Sequence, residues 1–212
     1  MLYYEDDYPA NIASLEARRT ASEINDQQDL VRIFKSAGKI LRNLQTLPTD
    51  HKVSHRIRSH AQKKIKRSTK KLHCFLPKHT VQWLLSAADN PLWNQIPIGF
   101  HLNHYTPNHW VFSKATHELN ILDMEDSGVN FLSMDIVILW YQYFTNRHDL
   151  MTAFFEGYGK TVTPEYVEEL RYVSILYGLE LMTSPSKDRD SNHFHMGIEI
   201  LQNVAEGTFP SL

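Results

Sequence analysis

The sequence has little cysteine, little glycine and no long apolar run. Cys74 is the one cysteine in 212 residues. It can close no intrachain disulfide and build no multi-cysteine zinc site. A reducing, cytoplasmic setting is expected. Glycine numbers 8, with none before Gly38, and proline 9, which excludes a collagen-like or proline-rich chain. The N-terminus carries Glu5, Asp6 and Asp7 where a secretory signal would place a basic start and an apolar stretch. The most apolar segment, 131–144, is interrupted by Ser133, Asp135 and Gln142, too short and polar to cross a bilayer, so no membrane partner is expected. No internal repeat is visible.

What is present is an ordinary globular composition. Hydrophobic residues make up 42% and the net charge is only −2, which excludes a disordered chain. The average conceals an asymmetry. Residues 51–88 contain no acid but hold 10 of the 22 Lys and Arg. The rest of the chain sets 12 basic residues against all 24 acidic ones.

The periodicity predicts helices around a small β island. Leu30, Ile33, Phe34, Ala37, Leu41 and Leu44 form one apolar stripe within 26–47, and Pro48 stops that helix. Residues 11–24 read as a weaker helix, and nothing in the first 25 residues alternates as a strand should. The basic segment, free of Gly and Pro, reads as helix to about Leu72, with another over 80–88. Short β-type runs at 98–102, 110–112 and 119–122 alternate with polar loops. Thr163-Pro164-Glu165 is a helix start, with Thr as cap and Pro first, and helix is expected to about Met182. A polar loop over 185–190 and a last helix over 192–205 follow. One domain, 1–212, is expected. It divides into hinge-proximal helices (1–50), a basic helical segment (51–88), the island (97–126) and C-terminal helices (130–212).

The island carries the chemistry. His101-Leu102-Asn103-His104-Tyr105-Thr106-Pro107-Asn108 is followed by Leu122-Asp123-Met124-Glu125-Asp126-Ser127-Gly128, then by Asp135. Asn108 and Asp123 offer hard oxygen ligands on neighbouring β-type segments, suited to Mg²⁺ beside substrate phosphates. Taken singly, Asn103, Asn108 and Asp123 are more often turn formers than site residues, because Asn and Asp side chains bond local backbone. His101, His104, His109 and His117 match no zinc signature.

In order and spacing, these runs resemble the C-terminal lobe of the aminoglycoside phosphotransferase and choline kinase family. That lobe has an H-x-D-x-x-x-x-N loop, an I-D-x-E-x-x-G-like run and a later Asp. Gly38 to Pro48 is similar to the family's G-x-x-L-x-x-L-H-x-L-P helix end, with Gln45 at the His position, and Phe155 to Gly159 to its F-x-x-G-Y-G segment. The resemblance covers roughly residues 27–182. It implies a mainly α fold with a small β island (α+β), the protein-kinase-like C-terminal lobe. It further implies ATP with Mg²⁺ as cofactor, Asn108 and Asp123 as metal ligands, and His101 and Asp135 as braces of the catalytic loop.

The departures shape the functional expectation. The family's catalytic Asp falls on Asn103, and an amide cannot accept the proton a carboxylate would take. No β-rich, nucleotide-covering lobe is legible before His101; the chain reads as starting near the hinge, at Leu2 to Asp6. Lys63, Lys64, Lys66, Arg67, Lys70 and Lys71 are read as wrapping most of a helix, where aminoglycoside-binding relatives have acidic clefts. Three readings stay open. The first is a degenerate, pseudokinase-like binding or scaffold protein with residual metal binding. The second is half of a split ATP-dependent enzyme acting on a small-molecule or peptide hydroxyl, its first lobe supplied by another chain. The third is a module binding nucleic acid or another anion through 52–71.

Overall fold

The computed structural model describes residues 18–48, 50–183 and 191–208. The hinge-like run at 2–6, most of the helix expected over 11–24 and the loop over 185–190 lie outside them. In chain order the elements are β1 (Arg18–Thr20), α1 (Gln27–Gln45), α2 (His51–Leu72), α3 (Lys78–Ala87), β2 (Ile98–His101), β3 (Trp110–Ser113), β4 (Leu119–Ile121), β5 (Gly128–Phe131), α4 (Met134–Leu139), α5 (His148–Tyr158), α6 (Pro164–Thr183) and α7 (Asn192–Glu206). The fold is mainly α with a small antiparallel β island, as the sequence predicts, and no β-rich lobe occurs among the described residues.

α1 forms where the stripe predicts. Asp26 caps it, accepting from the Asp29 amide at 2.9 Å. Ile33, Phe34, Ala37 and Leu41 are fully buried. α5 packs along it. Two glycines permit the close approach. A Cβ at Gly38 would stand 2.1 Å from the Phe154 carbonyl oxygen, and one at Gly157 would stand 1.8 Å from that of Lys35. Gln45 donates to the Leu132 carbonyl at 2.9 Å and accepts from the Tyr158 hydroxyl. The Gly38–Pro48 and Phe155–Gly159 motifs are therefore the two sides of one helix–helix contact.

Residues 18–23 differ from the helix expected over 11–24. Arg18–Thr20 is a strand, paired antiparallel with β3 in the register Arg18↔Ser113, and a single 3₁₀ turn, Ala21–Glu23, follows. Three residues are too few to display alternation, and the partner strand is remote in sequence. β3 also pairs with β4, giving the order β1-β3-β4. β2 pairs separately with β5, Ile98 opposite Phe131 and His101 opposite Gly128.

The remaining helices enclose this island. α2 packs on α3 and α6, and α6 on α7. One cluster of buried residues runs through the structure, with Trp93, Trp110 and Trp140 among its largest members. No helix among the described residues is long and apolar enough to cross a membrane.

Candidate functional site

The loop leaving β2 is shaped by two successive three-residue turns. The His104 amide donates to Leu102 O and the Thr106 amide to His104 O, each at 2.8 Å. The first turn places Asn103 in the left-handed region, φ 67°, where Asn and Asp are the tolerated side-chain-bearing residues. Tyr105, fully buried, donates its hydroxyl to Ala37 O at 2.6 Å and pins the loop to α1. Pro107–His109 forms a 3₁₀ turn, with Asn108 exposed on it.

Asp135 lies beneath this loop, on the first turn of α4, with no solvent exposure. Its Oδ2 accepts from the Leu102 amide at 3.1 Å, and the Asn103 amide also bonds to it. Its Oδ1 stands 3.3 Å from His101 Nε2, but that approach is off line and leaves both atoms without a hydrogen bond. Burial pushes the Asp135 carboxyl up to about 7, against the pull of the two amides. Burial, helped by His104, lowers His101 to about 4. The pair near neutral pH thus has a neutral imidazole facing a carboxyl poised between its two forms.

Asn103 and Asn108 open onto one cavity of about 320 Å³, shared with Thr106, Gln142, Glu180 and His193. Asp123 is brought near by backbone pairing: the Leu122 amide donates to His109 O at 2.8 Å, joining the residue before Asp123 to the residue after Asn108. Asp123 is not on the cavity wall. With φ 57°, it turns its carboxylate to 3.6 Å from His109 Nε2, while His109 Nδ1 donates to His104 O at 2.8 Å. Among the described residues no three His, Cys, Asp or Glu side chains gather as a metal-binding group. Asn108 and Asp123 supply one amide and one carboxylate oxygen on adjoining, exposed turns. That set fits a Mg²⁺ ion taking most of its ligands from phosphates and water.

The six basic candidates do not wrap α2. At about 100° per residue, Lys63, Lys64, Lys66, Arg67, Lys70 and Lys71 share one side, while Ala61, Ile65, Ser68, Thr69 and Leu72 are buried on the other. Lys64 pairs with Glu180 at 3.5 Å and Lys66 with Asp89 at 2.6 Å. Lys63, Arg67, Lys70 and Lys71 are exposed. Sequence reasoning missed Thr106, Gln142, Glu180 and His193 as cavity residues, since their elements meet only in the fold.

No curated protein matches the chain. Among solved structures, that of a spectinomycin phosphotransferase in complex with ADP and spectinomycin is similar at 14% identity and a TM-score of 0.48, covering 91% of this chain and 68% of that one. The family model of the phosphotransferase enzyme family (APH) matches residues 7–170. Spanning more than half the sequence, that match makes the chain a member of the phosphotransferase enzyme family.

Proposed function

We propose that this chain is a cytoplasmic, degenerate phosphotransferase, pseudokinase-like, which binds a Mg²⁺–nucleotide weakly and acts by binding rather than by transfer. The observation that carries the reading is Asn103. The sequence resemblance sets it where the family has its catalytic carboxylate; its loop conformation is one an Asp would share, and it faces the same cavity as Asn108. Its amide can hold an acceptor hydroxyl by a hydrogen bond but takes no proton from it. Loss of a general base typically costs about 10²- to 10⁴-fold. Asn108 and Asp123 are the residues that would hold Mg²⁺, which would neutralise phosphate charge; engaging both requires Asp123 to turn from His109.

Thermal melts of the full chain with Mg²⁺ and ATP test the binding half. A stabilisation that needs both and is lost in Asp123→Ala supports it; identical melts with and without them contradict it.

A further inference from the structure

A second cavity, about 440 Å³, lies between α2 and the β5–α4–α6 wall. Its volume falls in the range of small-molecule sites, about 300–1,000 Å³. It adjoins the Asn103 cavity, since Asn130, Met134 and Glu180 line both. Its floor is apolar, made by Ile57, Phe131, Met134 and Leu176. Its rim is basic. Arg56, His60 and Lys64 follow one another at every fourth residue of α2 and all line it, because positions four apart share a helix face.

The charges do not cancel. Glu180 is the one acid on the cavity wall, and Lys64 lies 3.5 Å from it. Arg56 is exposed and pairs with no acid among the described residues. Lys63 and Arg67 extend the same side of the helix, and no acid occurs anywhere in residues 51–88 to offset them. An apolar floor under an unneutralised guanidinium suits a ligand with an apolar body and an anionic head. A guanidinium presents a planar fork that matches phosphate or carboxylate.

We propose that this cavity binds a small amphipathic anion, an apolar compound carrying a phosphate or carboxylate. Its head lies at Arg56 and Lys64 and its body over Phe131 and Met134, and the open side reaches toward Asn103. That this ligand is the hydroxyl-bearing acceptor rests on the function proposed above; that the cavity selects anions rests on its own side chains.

Calorimetric titration of the full chain with phenyl phosphate and with benzyltrimethylammonium tests the proposal. The two probes share an aromatic body and differ in the sign of the head. Phenyl phosphate is expected to saturate one site, to weaken about tenfold in Arg56→Gln and in Lys64→Gln, and to bind Asp123→Ala unchanged. Both basic side chains reach solvent, so unchanged melting temperatures will show that the variants fold. The proposal is overturned if the cationic probe binds as tightly as the anionic one. Absence of saturable phenyl phosphate binding overturns it too, as does binding insensitive to both substitutions. If phenyl phosphate binds through Arg56 while ATP with Mg²⁺ leaves the protein unshifted, the nucleotide reading fails and the anion site stands. The reverse pattern removes the anion site alone.

Discussion

Oδ2 of Asp135 accepts from the amide of Leu102 at 3.1 Å, across 33 positions of sequence and in the absence of solvent. This contact fixes where β2 ends and where the turn carrying Asn103 begins. Removing the carboxyl leaves the buried Leu102 amide without its acceptor and a void at the head of α4. Asp135→Ala is expected to destabilise the fold by about 1–3 kcal/mol or more, read from urea or thermal unfolding. An unchanged melting temperature would show that the loop does not depend on it.

His101 and Asp135 should give opposite pH dependences. The Asp135 carboxyl, near 7 when folded and 3.8 ordinarily, keeps a proton that the unfolded chain has released. Its contribution is present below about 4 and is lost as pH rises through about 7. His101, near 4 when folded and 6.5 ordinarily, stays neutral where the unfolded chain is charged. Its contribution is present above 6.5 and is lost as pH falls through about 4. Between these limits the two nearly cancel. Relative to wild type, Asp135→Asn should steepen the rise of stability with pH, and His101→Gln should make it fall. Each change in slope is up to about 1.4 kcal/mol per pH unit. Denaturant titrations at stepped pH read these slopes, and parallel profiles for all three proteins would refute the assignment.

Gly38 and Gly128 should respond differently to the same substitution. A methyl group at Gly38 meets the Phe154 carbonyl at 2.1 Å and the Tyr158 amide at 2.7 Å, whereas one at Gly128 meets nothing within 4 Å. Helix propensity alone would favour Gly38→Ala by about 1 kcal/mol. The backbone collision between α1 and α5 outweighs it, so a loss of about 1–3 kcal/mol or more is expected. Gly128→Ala should stay within about 0.5 kcal/mol of wild type. Equilibrium unfolding of the two variants side by side tests the contrast.

What the sequence made legible follows physical range. α1 was readable because four of its six stripe residues, Ile33, Phe34, Ala37 and Leu41, meet the core directly. Thr163 marked the start of α6 through its own side chain, which accepts from the Tyr166 amide at 3.3 Å. β1 and β5 were not readable: each is short, and each is defined by a partner outside any local window. The buried side of α2 was hidden for another reason. Ser68 and Thr69 face the core yet carry no hydrophobic signal, so the lysines looked unconfined. In the site, the family pattern pointed to Asn103, Asn108, Asp123 and Asp135. The tilt of Asp123 toward His109 depends on a left-handed backbone that no pattern encodes. The spacing of Arg56, His60 and Lys64 carries no signal of a site on its own, because the wall that turns it into a cavity comes from β5, α4 and α6.

On the function proposed above, an amide at position 103 leaves the chain able to bind and unable to transfer. The most direct measurement is ATP turnover by the full chain with Mg²⁺, wild type beside Asn103→Asp. The left-handed turn at 103 accepts either residue, so the two proteins should melt alike. Wild type is expected to show no turnover approaching the rates typical of kinases. Any activity gained should appear in Asn103→Asp. A wild-type kcat of about 1 s⁻¹ or faster on clean protein would contradict the account.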